Sequence, residues 1–376
     1  MHTHNHEHKE SGHEEHDDPL AVATLRPHHF ETRDCLPICP NAVVGDRVGS
    51  GGFRRRGHGR TAGIGAAGSF FIGGRTIQTE DAGWGSFREV FGESFEAGKI
   101  TVEQMYVQFQ VPVKPSHTPI VFMHGGLLSS KQWETTPDGR MGWFEYFTRK
   151  GFPTYLAEQS GRARSGFNPS AFNEVGRGKI SPSKQPRIYL GTSDMAWKVF
   201  RFGPREGQPY PGQQFPLDRV DEFYKQVIPD MFETEVPSLM TELITPTTDN
   251  PTVENVADLA NQLGGAILVG HSQSSGFPTQ AVLKAKGGIK GIIQLETGCF
   301  ANLTDQQIGL LAKIPMLVMV GDYLGEHPSA SCDKEIAQVQ GPAETSHLFR
   351  FRAAACTGTA TCSCRTRTIS TSQTSS

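Results

Sequence analysis

Ser272 sits in Gly270-His271-Ser272-Gln273-Ser274, directly after the apolar run Ala266-Ile267-Leu268-Val269. A buried strand running into a tight turn of small residues and then a helix start is the pattern of a nucleophile elbow, with the serine at its apex. The residues two before and two after the serine must be small, because the helix doubles back on its own strand. Gly270 and Ser274 fill these places, and Ser274, where a second glycine is usual, still fits sterically. A serine so presented can attack an acyl carbonyl if a base takes its proton and N–H donors receive the developing oxyanion. One serine motif recurs by accident, but a second stretch joins it. Ile120-Val121-Phe122-Met123 is another buried strand, and it ends in His124-Gly125-Gly126-Leu127. The loop after such a strand and the residue after the nucleophile are the places that supply oxyanion donors, which nominates the N–H groups of Gly126 and Gln273.

The two stretches together resemble the α/β-hydrolase fold. The competing reading is a Rossmann-like sheet carrying an incidental serine. The rest of the chain supplies elements to position the two stretches. Strands are expected at Ser69–Gly74, Ile100–Val113, His117–Met123, Gly151–Ala157, Ile289–Leu295 (the sixth) and Ile314–Asp322 (the seventh), with the elbow strand fifth. Met105, Val107 and Phe109 share one face of the second. Helices are expected around Trp143, Phe144, Tyr146 and Phe147, over Thr252–Leu263, and over Cys332–Gln340. Gly161-Arg162-Ala163-Arg164-Ser165 reads as a turn whose arginines tie loops together. From about Gly166 to Pro251 the alternating rhythm stops, with helical patches at Ser193–Phe202 and Leu217–Met231. This segment resembles an inserted cap. Trp197, Phe200, Phe202, Tyr224, Met231 and Phe232 are candidates for lining a pocket, although most are expected to form the cap's own core.

The order of motifs resembles a small family of bacterial and fungal esterases. The resemblance covers about Gly68 to Gln340, through Gly-Ser-Phe-Phe-Ile-Gly-Gly, Met-Tyr-Val-Gln-Phe-Gln-Val-Pro, Trp-Glu-Thr-Thr-Pro-Asp-Gly-Arg-Met-Gly-Trp and Gly-His-Ser-Gln-Ser. A Ser–acid–His order is general to the fold, and the orienting acid commonly ends the seventh strand, here Asp322. In the esterase family the acid ends the sixth strand, and the resemblance therefore implies Glu296. That family often carries adjacent cysteines in the oxyanion loop; Gly126 and Leu127 stand there instead. The family's base lies in a His-Gly-Asn-Ser-His-Met segment, which this chain lacks. His327 follows the seventh strand too closely, and His347 is the remaining candidate, in surroundings that match no family motif. Neither an eighth strand nor a final helix is evident after Gln340. Joining the last base of each codon to the first two of the next allows Thr357–Ser370 to read His-Gly-Asn-Ser-His-Met-Leu-Met-Gln-Asp-Lys-Asn-Asn-Leu. The chain beyond about Gln340 is accordingly expected to be translated in a shifted frame, with the missing imidazole where Thr361 stands.

Among its 376 residues the formal net charge is -3, which indicates no nucleic-acid partner. No apolar run reaches the length of a membrane span, and no secretory signal is read at the N-terminus. Of seven cysteines, only Cys299 and Cys332 fall in the expected core, so no disulfide framework follows and the compartment stays open. Residues 1–66 read as an unstructured His-rich and Gly/Arg-rich segment; its alternating histidines can hold a metal loosely, but a solvated tail is the simpler reading. The expected organisation is a tail over 1–66, a hydrolase core over 67–165 and 251–340, a cap over 166–250 and an aberrant segment over 341–376. The expected fold class is α/β, a mostly parallel sheet with helices on both faces and an inserted helical cap. The expected activity is hydrolysis of a small carboxylic ester through Ser272, a histidine and Glu296, with no cofactor or metal implied and the oligomeric state open. The alternative is a hydrolase-fold protein without activity that only binds a small ligand.

Overall fold

The computed structural model describes residues 63–80, 91–92, 97–232, 250–284, 287–296, 303–321, 323 and 349–352. In chain order its strands and helices are β1 (Ile64–Thr79), β2 (Gly98–Pro112), β3 (Ile120–Met123), α1 (Trp143–Arg149), β4 (Thr154–Ala157), α2 (Ser170–Gly176), β5 (Arg187–Tyr189), α3 (Ser193–Val199), α4 (Val220–Tyr224), β6 (Asp230–Phe232), α5 (Pro251–Gln262), β7 (Ala266–His271), α6 (Phe277–Lys284), β8 (Ile289–Leu295), α7 (Asp305–Leu311), β9 (Met316–Val320) and β10 (Phe349–Arg352). Eight strands form one sheet in the order β1-β2-β4-β3-β7-β8-β9-β10. The β1–β2 and β2–β4 pairs are antiparallel. From β4 through β3, β7, β8 and β9 to β10 every pair is parallel.

The alternation of side chains along β3 builds the two faces. Val121 and Met123 join Met105, Val107, Leu268, Ile292 and the buried side of α5 (Val253, Val256, Leu259). Ile120 and Phe122 point the other way, into a cluster with Trp133, Phe144, Leu156, Val269 and Leu295. Both faces of β3 are closed, as expected for a central parallel strand. Helix α5 starts where Asn250 accepts the Thr252 N–H at 2.9 Å and Pro251 takes the first helical position. It crosses β1 at Gly73, whose φ is +63°; an added Cβ there would lie 1.8 Å from Asn255 Oδ1.

Several sequence expectations need correction. The first strand runs well past Gly74, where the expected strand ended, because its register with β2 continues on both sides of Gly73 and Gly74. Met231 does not end a helical patch but lies in β6, antiparallel to β5. The helix ends at Tyr224, and Ile228, which precedes Pro229, is disfavoured in the helical region, so the helical patch does not continue to Met231. The insertion between β4 and α5 is thus not purely helical. Its described part has its own core of Trp197, Phe200, Phe202, Phe215 and Phe223. Three of the aromatics considered for the pocket therefore pack inside it; Tyr224 lies at its edge and Met231 is half-buried, while the Phe232 side chain lies outside the described residues. Finally, Phe349-Arg350-Phe351-Arg352 forms the eighth strand, beside β9, where none was expected. Its alternation of aromatic and basic residues is a period-two strand signal. The helix expected over residues 332–340 lies outside the described residues. Among the described residues no helix is long and apolar enough to cross a membrane.

Candidate active site

The C-terminal ends of β3, β7 and β8 meet at one edge of the sheet. There β7 passes into a tight turn, Ser272–Gly276, and then into α6. Ser272 stands at the start of that turn, half-buried, with φ +53°. A left-handed serine is uncommon, and such strain gathers at functional turns. Gly270 is required by the fold-back, since a Cβ there would lie 2.2 Å from the Ser274 carbonyl. Ser274 does more than fit. It is fully buried, its hydroxyl accepts the His271 N–H at 3.0 Å, and Met123 O of β3 lies 3.1 Å from the same oxygen. A glycine could make none of these bonds.

The loop after β3 lies against the elbow: a Cβ on Gly125 would be 3.3 Å from Ser272 Cβ. Its successive N–H groups are already distributed. Gly125 N–H donates to Gln132 Oε1 at 2.9 Å, and Leu127 N–H donates to Asp230 Oδ2 at 2.7 Å. Between them, the half-buried Gly126 N–H has no partner among the described residues. Gln273 N–H lies in the first turn after the elbow, where helical N–H groups have no intrahelical acceptor.

Below the loop, His124 is locked by Gln159. The Gln159 N–H donates to His124 Nε2 at 3.1 Å, so the ring proton is on Nδ1, which faces Gly125 O at 2.9 Å. Complete burial pushes this imidazole down to about 3, with Arg162 and His271 adding to the effect. His271 is likewise pushed down to about 4 by burial, against a smaller upward pull from Glu296. Neither His271 ring nitrogen has a partner among the described residues. Both rings are therefore neutral near pH 7.

Glu296 follows β8 with φ +53°. Gly321 N–H, at the end of β9, donates to its Oε1 at 2.9 Å, and Arg201 from the insertion donates to Oε2. Arg162 Nη1 meets Asp230 Oδ2 at 3.0 Å and also donates to Gln273 Oε1. Arg164 grips Glu158 with its guanidinium and its backbone N–H and stacks on Tyr106 at 4.2 Å. The arginines of the turn thus tie loops together as the sequence suggested. The Arg162–Asp230 pair is buried, and a pair of this kind is costly to break from one side, by about 3–5 kcal/mol.

The structure thus brings Ser272, Gly126 and Gln273 to one edge, with Glu296 one strand over. Asp322, His327 and His347 lie outside the described residues. Arg201 and Asp230 were not singled out from the sequence. They reach the site across 95 and 103 residues of chain, and no spacing or motif marks them.

No family model matches the chain. A solved structure of a novel bacterial esterase is 34% identical, covers 79% of this chain and 89% of its own, and superposes with a TM-score of 0.68. A curated protein, the probable secreted lipase phiG of a fungal species (strain ATCC 74256), is 26% identical over 210 residues, 55% of this chain and 53% of that protein. The chain spans about half the length of that curated relative. The strand order, the elbow and the extent of the match to the bacterial esterase agree: the chain belongs to the α/β-hydrolase family.

Proposed function

We propose that this chain is a serine hydrolase of the carboxylic-ester type, acting on a small ester. The observation that carries the reading is the left-handed Ser272 beside an uncommitted Gly126 N–H. Likeness to the bacterial esterase and to the fungal lipase supports it. In this proposal Ser272 Oγ attacks the ester carbonyl while a histidine takes its proton. The Gly126 and Gln273 N–H groups hold the oxyanion, each worth about 3 kcal/mol in the transition state. The tetrahedral intermediate collapses, the histidine returns the proton to the leaving alcohol, and water repeats the sequence on the acyl-enzyme. Glu296 orients the histidine, and the insertion forms a cap over residues 166–250.

The base is the open member. Of the described imidazoles, His117 precedes β3 and stacks on Phe152, His124 is consumed by its two partners, and His271 is neutral, buried and on the strand preceding the serine. His347 is a candidate by position, and a shifted frame beyond Gln340 would place an imidazole at position 361. The test is labelling with a fluorophosphonate probe, alongside turnover of short p-nitrophenyl esters. Label on Ser272 that disappears in Ser272→Ala supports the reading. Turnover retained in Ser272→Ala rejects the nucleophile, and label absent both from the parent and from a chain with the alternative frame restored beyond Gln340 favours a ligand-binding hydrolase fold without activity.

A further inference from the structure

The loop that carries Gly126 is held as much by the insertion as by the sheet. Leu127, the next residue, is left-handed at φ +60°, a conformation unfavourable for a branched side chain. Both of its backbone polar groups go to one short piece of the insertion. Its carbonyl accepts the Ile228 N–H at 2.8 Å, and its N–H donates to the Asp230 carboxylate at 2.7 Å. Leu128 continues into the insertion's own core, with Trp197, Phe200 and Phe202. Asp230 is fully buried, and Arg162 Nη1 meets the same carboxylate oxygen at 3.0 Å. The same guanidinium nitrogen also donates to the Gln273 side chain, and Gln159 Nε2 reaches that side chain at 3.2 Å. One carboxylate and one guanidinium thus connect the insertion, the loop after β3 and the residue after the nucleophile.

We infer that Asp230 and Arg162 are positioning residues that make the two-donor geometry at Gly126 and Gln273 conditional on a seated cap. This rests on the hydrolase reading above. With the cap in place, Asp230 and Gln132 fix the N–H groups on either side of Gly126 and leave its own N–H for the substrate oxygen. With the cap lifted, Leu127 loses both partners that hold it left-handed, and the loop relaxes. Esters small enough to lie beneath a seated cap are then turned over; esters that prop it open bind beside an unset donor pair.

The test is deuterium exchange of the full-length chain, followed by mass spectrometry in the parent, Asp230→Leu, Asp230→Asn and Arg162→Met. Asp230→Leu is expected to raise exchange in 124–130 and 270–276 at least tenfold while β4 and α5 keep parental protection. Asp230→Asn retains a side-chain oxygen for the Leu127 N–H and is expected to recover most of the protection in 124–130. Unchanged exchange in 124–130, or a uniform rise across the sheet, overturns the proposal. If Asp230→Leu does not fold, Arg162→Met decides by the same criterion at 270–276. Fluorophosphonate labelling is read in parallel. Absence of label both in the parent and in a chain with the alternative frame restored beyond Gln340 rejects the hydrolase reading, while exchange still decides whether Asp230 and Arg162 hold the loop. A labelled parent with at least tenfold slower labelling in Asp230→Leu supports both.

Discussion

His271 and Ser274 show how much of a site rests on single residues that perform no chemistry. Ser274 satisfies a buried backbone N–H that would otherwise have no partner. Ser274→Ala leaves that donor unpaired and should cost about 1–3 kcal/mol, read as a lower urea midpoint at unchanged slope. His271 and His124 make a second prediction, about acid. Both titrate lower when folded than their ordinary value of 6.5, at about 4 and about 3. As pH falls below 6.5 the unfolded chain takes up protons that the folded chain refuses. Stability is therefore lost from there down to about 4 for His271 and further for His124. His271→Phe should remove one proton from the dependence of unfolding free energy on pH between 6 and 4, about 1.4 kcal/mol per pH unit. Urea titrations at several pH values measure this, and an unchanged slope would place the ring proton elsewhere. The convergence of Ser272, Gly126 and Gln273 on one edge of the sheet was legible in the sequence because each belongs to a short local motif. The parts played by Arg201 and Asp230 were not, because their partners lie in distant parts of the chain.

At the scale of elements, the elbow depends on the close return of α6 along β7. Gly270→Ala puts a methyl group 2.2 Å from the Ser274 carbonyl, so the turn must open or the strand must shift. A loss of at least the about 1–3 kcal/mol of an overpacked core is expected. Ser272 labelling should also slow, because the strained φ would relax. Most strands were readable from the sequence because fully buried parallel strands leave short apolar runs bounded by turn residues. Strand β10 was missed because composition over the whole tail outweighed four alternating residues. The insertion was harder to read, because its small sheet is made by pairing between segments some 40 residues apart. Glu296 over Asp322 as the acid remains a proposal. Glu296→Gln should lower kcat far more than Asp322→Asn in a chain that has its base, and the reverse ranking would return the role to Asp322.

At the scale of the molecule, the proposed frame shift makes a direct prediction. Restoring the alternative frame beyond Gln340 should convert a nearly inactive chain into one that hydrolyses short esters. Ordinary turnover by the chain as it stands, or a transcript with no such reading across the codons for Gln340 and Gly341, would remove the idea. A different consequence follows from the pairing of β3 with β7, Ile120 against Ile267. The two strands are neighbours in the sheet, yet the whole insertion and α5 are made between them. At about 5–20 residues per second, β3, paired on one side by β4, waits roughly 7–30 s on the ribosome before its second partner exists. Throughout that interval Ile120-Val121-Phe122-Met123, buried on both faces in the finished protein, offers an unpaired edge. Nascent chains stopped before Ala266 should therefore aggregate or recruit chaperones, whereas chains extended past Leu295 should not; ribosome-bound intermediates of defined length would show the change. The placement of the insertion between β3 and β7 thus sets how long that edge of β3 stays open during synthesis.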